Sequence, residues 1–220
     1  MRLRNYLAEI IGTFALVFCG TGAIILDQEF GGQVTNFGIA SAFCLIVIAM
    51  ILLLGKISGS HLNPAVTIAF SLAKLFPTRF IAPYIISQIV GGVLASALLK
   101  YLFPTNKFLG ATMPSGSAMP SFILEIVLTM ILIMVIFYFS IILKKRILAA
   151  IVIGLTVGVE AFFGGPISGA SMNPARSFAP AIISNHTEHL WIYIFAPIIG
   201  ALLGVIFYHY LIKRKHDSFH

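Results

Sequence analysis

Charged residues are scarce in this chain of 220 residues. They make up only 10% of the sequence, whereas hydrophobic residues make up 59%, and the mean hydropathy is +1.02. Because a soluble domain carries about 25% charged residues, this composition excludes an ordinary soluble protein. Apolar runs long enough to cross about 30 Å of hydrocarbon occur six times. They lie at about 5–26, 34–55, 80–103, 120–143, 147–165 and 190–212, and they predict a multi-pass, all-α membrane protein.

Cysteine and catalytic motifs are also nearly absent. Cys19 and Cys44 both lie in apolar runs, where a small buried hydrophobe is a better interpretation than a disulfide. The chain has no HExxH metal motif and no serine with a convincing partner base, which argues against an intramembrane hydrolase. We therefore expect no metal, no cofactor and no enzymatic activity.

Acidic residues are few, with 7 against 14 basic residues, and the formal net charge is +7. If the N-terminus is cytoplasmic, most basic residues fall in inner segments, and this positive-inside bias places both termini in the cytoplasm. The charge then reflects orientation in an inner or plasma membrane, and we expect no nucleic-acid partner. The inner basic residues are Arg2, Arg4, Lys56, Lys74, Arg79, Lys144, Lys145, Arg146, Lys213, Arg214 and Lys215. The outer charged residues are Asp27, Glu29, Lys100, Lys107 and Glu188.

The chain does contain a sequence motif that occurs twice in similar form, and we call each occurrence a repeated phrase. "GSHLNPAVTIAF" begins at Gly59 and "GASMNPARSFAP" begins at Gly169. Earlier in each half, "LAEIIGTFALVF" and "ILEIVLTMILIM" are also alike, and each places a glutamate, Glu9 or Glu125, near the start of a span. The order and approximate spacing of these features repeat, which indicates a tandem duplication.

The duplication predicts a single domain, 1–220, built from repeat one at about 1–110 and repeat two at about 118–220. Each repeat contains three spans. Because three is odd, the second repeat must enter the membrane from the opposite face, and such inverted repeats place their working site near the midplane.

Each repeated phrase lies between the second and third span of its repeat and is too short to cross the bilayer. Asparagine is a favoured N-cap and proline is favoured at the first helical position, so each Asn-Pro-Ala box predicts the start of a half-length helix, at about 63–74 and 173–183. The two boxes are Asn63, Pro64 and Ala65, and Asn173, Pro174 and Ala175. Irregular backbone at membrane depth must be buried or line a wet cavity. We therefore expect the two half-helices to enter from opposite faces and meet at their N-termini.

This arrangement favours neutral permeants. A capping Asn oxygen would fix its side chain and leave the amide NH2 free to hold a water or alcohol oxygen. Each helix N-terminus carries about half a positive charge, and at about 5 Å and a dielectric near 20 the two oppose a cation by roughly 3 kcal/mol. Since about 1.4 kcal/mol is a factor of ten in rate, we expect a passive channel that excludes protons and ions.

At these residues the chain resembles the aquaporin or major intrinsic protein family, whose signature is two Asn-Pro-Ala boxes in an inverted repeat. The resemblance extends through "SQIVGG", "GPISGASMNPARS" and "LWIYIFAPIIGA". It implies six transmembrane helices plus two half-helices, conduction of water and small neutral solutes across a lipid bilayer, and a homotetramer.

The resemblance also implies an outer constriction of four side chains, carried over by their distance from the boxes: Phe43, Ala161, Ala170 and Arg176. In strictly water-selective members the position of Ala161 is typically His, so Ala implies a wider pore. This pattern resembles the nodulin-like intrinsic proteins and their bacterial relatives, which pass glycerol and neutral metalloid hydroxides. Ser177 and Ala181 instead match the water-channel pattern, so a mainly water-selective aquaporin stays an alternative.

Four further polar residues fall near the predicted pore. Glu9 and Glu125 are expected to support the irregular loops by accepting their N–H groups, and His61 is expected in the cytoplasmic vestibule. Glu160 departs from the family pattern and is expected to bond neighbouring backbone, with a pore or gating role as the alternative. A secondary transporter is a remote alternative, because ion coupling would favour acidic residues at the boxes, where Asn63 and Asn173 stand instead.

Overall fold

A computed structural model describes residues 1–213 and gives six long helices and two half-length helices. The long helices are α1 (Leu3–Glu29), α2 (Thr35–Leu54), α4 (Ile81–Leu102), α5 (Ala118–Ile136), α6 (Arg146–Ser168) and α8 (Leu190–Phe207). The half-length helices are α3 (Pro64–Leu72) and α7 (Pro174–Ser184). This confirms the predicted all-α architecture of six spans. Arg214 and Lys215, which entered the charge argument, lie outside the described residues.

The helix boundaries differ from the predicted ones in two ways. The span expected at 147–165, the shortest predicted run, is a helix of 23 residues. The spans α5 and α8 continue as π-helical segments, Phe137–Ile142 and Tyr208–Lys213, which hydropathy does not predict. The two π-helical segments contact each other where α5 and α8 end.

The helix packing is nearly the same in the two halves of the chain. α1 packs on α4 and α5 packs on α8, whereas α2 packs on α6 across the two halves. Each half-length helix also contacts a long helix of the other half: α3 contacts α8, and α7 contacts α4. The repeat boundaries at about 1–110 and 118–220 stay a prediction.

Two glycines allow the long helices to cross closely. A Cβ atom at Gly91 on α4 would collide with the Ile10 carbonyl on α1, and one at Gly200 on α8 would collide with the Ile126 carbonyl on α5. Helix pairs in membranes associate through such small residues, since apolar contact alone gives no preference for protein over lipid. These crossings bring the polar faces of α1 and α5 against the irregular loops.

The outer surface of the bundle is apolar. Leu45 and Leu53 on α2 are 66% exposed, and Phe163 on α6 is 70% exposed. In the interior, by contrast, the described residues include buried carboxylates, amides and one guanidinium. This distribution suits a bundle surrounded by lipid with a polar path inside it.

Candidate pore and its constriction

The two half-length helices begin at the asparagines of the boxes. Asn63 is extended (φ −156°) and its Oδ1 accepts from the Ala65 N–H at 2.8 Å. Asn173 is also extended (φ −145°), and its Oδ1 accepts from the Ala175 N–H at 3.0 Å and from the Arg176 N–H at 3.4 Å. Each asparagine is therefore an N-cap that satisfies donors of its own helix.

The asparagine amides also join the two halves. Asn63 Nδ2 donates to the Met172 carbonyl at 2.8 Å, and Asn173 Nδ2 donates to the Leu62 carbonyl at 2.9 Å. The expectation of an entirely free NH2 is therefore wrong, because one of its two hydrogens is bonded to the opposite loop. Both asparagines line the same cavity, so the second hydrogen of each amide is the one left for a permeant.

The loop before box one is held by Glu9 of α1. This carboxylate is fully buried and accepts from the His61 N–H at 3.0 Å and the Leu62 N–H at 2.7 Å. Ser58 Oγ and Gln88 Nε2 donate to it at 2.6 and 2.8 Å. The loop backbone makes no regular secondary structure here, so its buried N–H groups need such an acceptor.

Glu125 of α5 does the same for the loop before box two. It is fully buried and accepts from the Ser171 and Met172 N–H groups at 2.8 Å each, and from Ser168 Oγ at 2.8 Å. Two non-glycine residues of this loop have positive φ, Ala170 at 42° and Met172 at 53°. A non-glycine residue in that conformation is strained by about 1–3 kcal/mol, so the carboxylate bonds help to hold it.

Two tyrosines complete these supports, and the sequence analysis missed them. Tyr84 Oη donates to the Ser58 carbonyl at 2.9 Å, and Tyr193 Oη donates to the Ser168 carbonyl at 2.7 Å. A signal was present, because each tyrosine follows the asparagine of its box at nearly the same distance, 21 and 20 residues. Both loops are thus fixed by an equivalent glutamate, serine and tyrosine.

A cavity of about 360 Å³ runs along both boxes. Its lining includes His61 and the four residues assigned to the outer constriction, Phe43, Ala161, Ala170 and Arg176. Among the described residues, no aspartate or glutamate lines it. The Pro and Ala residues of the boxes, Pro64, Ala65, Pro174 and Ala175, are buried and do not line the cavity. They start and pack the half-helices, so of the six box residues only the two asparagines line the cavity.

The Arg176 side chain is held by the loop between α4 and α5. The side chain is 2% exposed, Nη1 donates to the Gly110 carbonyl at 2.9 Å, and the guanidinium carbon lies 5.2 Å from the centre of the Phe43 ring. Thr112 Oγ1 of the same loop donates to Ser177 Oγ at 2.7 Å. The sequence analysis did not identify this loop, which lies between α4 and α5, as part of the pore.

His61, two residues before Asn63, also lines the cavity. Its Nδ1 lies 3.2 Å from Thr67 Oγ1, and its ring packs on Phe70, with 4.7 Å between the ring centres. Gln88 Nε2 donates to Thr67 Oγ1 at 3.0 Å, so His61 belongs to a polar chain that ends at Glu9.

Glu160 does not bond neighbouring backbone, and that expectation is wrong. The residue is 6% exposed, and neither of its carboxylate oxygens has a hydrogen-bond donor among the described residues. Ala161, the next residue on α6, lines the cavity, whereas Glu160 does not. Its side chain therefore points away from the pore, into the packing of the bundle.

Comparison with known proteins agrees with this geometry. A family model described as major intrinsic protein matches residues 1–208. Nodulin-26 of Glycine max is 37% identical over 211 residues, which cover 94% of this chain and 77% of that protein. Aquaporin NIP1-1 of Zea mays is 38% identical over 206 residues, which cover 92% of this chain and 72% of that protein.

The fold has an equally clear match among solved structures. The X-ray structure of the aquaglyceroporin from Plasmodium falciparum superposes with a TM-score of 0.90 at 25% identity, covering 98% of this chain and 99% of that one. These matches confirm the resemblance to aquaporins, including nodulin-like ones. The chain belongs to the major intrinsic protein family, and it is a multi-pass membrane channel for water and small solutes and not an enzyme.

Proposed function

We propose that this channel conducts water and small uncharged solutes, including glycerol-like polyols and neutral metalloid hydroxides, and excludes protons and ions. The observation that carries the proposal is the composition of the outer constriction. Arg176 and the Phe43 ring lie on the cavity 5.2 Å apart, and the other two positions hold only the methyl groups of Ala161 and Ala170. A polyol needs a donor for its hydroxyls and an apolar face for its carbons, and this constriction supplies both.

Exclusion of protons follows from the direction of the asparagine hydrogen bonds. Each Oδ1 is used by its own helix cap, so Asn63 and Asn173 offer the cavity only N–H donors. A water bound there must accept from the amides and donate away from them on both sides, which interrupts a chain of donors that a proton needs. The helix N-termini add positive potential at the same point, and Arg176 adds a fixed charge at the outer constriction.

The relatives support a range of solutes. Proteins with 37 to 38% identity are named as an aquaporin and as Nodulin-26, and the superposed structure is an aquaglyceroporin. Ser177, which argued for a water channel in the sequence, accepts from the Thr112 hydroxyl, shares a hydrogen bond with the Ser171 hydroxyl and does not line the cavity. Its identity therefore has no direct effect on which solute fits.

A secondary transporter is disfavoured by the position of the acidic residues. The carboxylate oxygens of Glu9 and Glu125 accept from loop N–H groups, and neither residue lines the cavity. An ion-coupled carrier needs an acidic or carbonyl site that changes occupancy during transport. We infer passive flux.

The test is stopped-flow light scattering on proteoliposomes that hold the purified protein, with water, glycerol and boric acid as permeants. We expect all three permeabilities to exceed those of empty liposomes and to be unaffected by a proton or sodium gradient. A pH-sensitive dye inside the vesicles should report no added proton leak. Water flux without glycerol or boric acid flux would support the mainly water-selective alternative, and uphill flux driven by a gradient would support a transporter.

We also propose a homotetramer in an inner or plasma membrane, with both termini cytoplasmic. The distribution of basic residues supports the orientation, because Lys144, Lys145 and Arg146 join α5 to α6 on the same side as Arg2 and Arg4. Tags at the two ends should be digested by protease only in inside-out vesicles. Light scattering of the detergent-solubilised protein should give four chains per particle.

A further inference from the structure

The two loops that precede the boxes have the same backbone conformation. Three positions in each loop have positive φ, and the angles agree within a few degrees at equivalent distances from the asparagine. In the first loop they are Gly59 (91°), Ser60 (47°) and Leu62 (51°), and in the second they are Gly169 (85°), Ala170 (42°) and Met172 (53°). Residues at the same distance from the two boxes are therefore structural counterparts, related by the inversion of the halves.

This correspondence identifies a second set of four residues. We call the four residues of the outer constriction the outer ring. Phe43 lies 20 residues before the asparagine of box one. Ala161 and Ala170 lie 12 and 3 residues before the asparagine of box two, and Arg176 lies 3 residues after it. The same distances from the opposite boxes give Ile153, Ile51, Ser60 and Val66. All four line the cavity that also contains the outer ring.

The second set lies on the cytoplasmic side of the boxes. α2 places Phe43 in its first half and Ile51 in its last turn, and α6 places Ile153 before Ala161, with the two helices running in opposite directions. Ile51 and Ile153 therefore come to the same end of the pore, opposite Arg176. We call these four residues the inner ring.

The inner ring is bulkier than the outer ring where the outer ring is most open. Ile51 is the counterpart of Ala161, and Ser60 is the counterpart of Ala170. At the counterpart of Arg176, Val66 is an aliphatic residue without a donor. Ser60 Oγ donates to the Met50 carbonyl at 3.0 Å, so toward the pore it offers only acceptor lone pairs.

We propose that the inner ring of Ile51, Ile153, Ser60 and Val66 is a second selectivity site, and that it sets the upper size limit for polyols. This rests on the proposed function. The outer ring orients solutes through the Arg176 donor, whereas the inner ring surrounds them mainly with aliphatic walls. Because branched aliphatic walls replace none of the hydrogen bonds a solute loses, a longer polyol with more hydroxyls is penalised there.

The test compares water, glycerol and the four-carbon polyol erythritol in stopped-flow assays on proteoliposomes. Ile51→Ala should raise erythritol permeability about tenfold, the discrimination that a single methylene can produce in a tight apolar site, and should therefore raise the ratio of erythritol to water permeability. Ile51→Phe should lower glycerol flux by a similar factor. Leu53→Ala is the matched control, because Leu53 lies two residues away on α2, is 66% exposed and faces away from the pore.

The outcomes separate the inner ring from the proposed function. If the parent protein passes water but no glycerol, the proposed function fails, and the inner ring is then supported only if Ile51→Ala opens the channel to glycerol. If Ile51→Ala and Ile153→Ala both leave the glycerol-to-erythritol ratio unchanged while water flux persists, the inner ring is refuted. Retained water flux shows in each case that the variant has folded.

Discussion

Ala161→His is the sharpest test of the outer constriction. Ala161 lines the cavity beside Phe43 and Arg176, whose guanidinium carbon lies 5.2 Å from the Phe43 ring centre. An imidazole there would fill the space that the carbon skeleton of a polyol needs, and it would add a polar group suited to water. A steric misfit of this kind costs about 1–3 kcal/mol, which is roughly a 5- to 200-fold loss of glycerol flux, since 1.4 kcal/mol is a factor of ten.

The assay is stopped-flow light scattering with parallel water and glycerol gradients. We expect glycerol permeability to fall by the factor above and water permeability to fall less than about threefold. Phe163→His is the matched control, because it places an imidazole on the same helix at a position that is 70% exposed and not in the cavity. Equal loss of water and glycerol flux in Ala161→His would refute the placement of Ala161 at the constriction.

Four other substitutions test the support of the pore, its exclusion of cations and the packing of its helices. Glu125→Gln replaces one of the two oxygens that accept the Ser171 and Met172 N–H groups with an NH2 donor, so thermal unfolding in detergent should show a loss of about 1–3 kcal/mol and water flux should fall. Glu160→Leu should instead leave thermal stability unchanged or raise it by about 1–3 kcal/mol, because it removes a buried carboxylate without a partner; clear destabilisation would show that Glu160 has a structural role. Asn63→Asp replaces an amide that donates to the Met172 carbonyl with an anion, so cation leakage should rise in a dye assay, whereas an unchanged leak would contradict the exclusion argument. Gly91→Val should abolish folding, since a side chain there collides with a backbone carbonyl of α1; normal yield and water flux would contradict the packing described.

The sequence predicted the parts of the fold that depend on local pattern. Six apolar runs gave the spans, and two Asn-Pro pairs gave the starts of α3 and α7, because length in hydrocarbon and capping are properties of a few adjacent residues. The π-helical continuation at Phe137–Ile142 could not be predicted in this way. Its residues are as apolar as those of the preceding helix, and the change of hydrogen-bond register does not alter hydropathy.

The candidate site shows the same division. Glu9 and Glu125 could be assigned a supporting role, since a carboxylate inside a span needs donors and an irregular loop supplies them. The bond from each asparagine amide to the opposite loop was missed, because it joins residues more than 100 positions apart, Asn63 to Met172 and Asn173 to Leu62. Glu160 was misjudged because the sequence does not show how the helices pack around it, and that packing gives its carboxylate oxygens no donor among the described residues.

The loop between α4 and α5 changes how the two halves can be exchanged between relatives. In this loop the Gly110 carbonyl accepts from Arg176 and the Thr112 hydroxyl donates to Ser177, and both partners belong to the second half. A chimaera joined immediately before α5 would combine the Arg176 of one parent with the α4–α5 loop of the other. The junction should therefore lie near the end of α4, so that the α4–α5 loop and Arg176 come from the same parent.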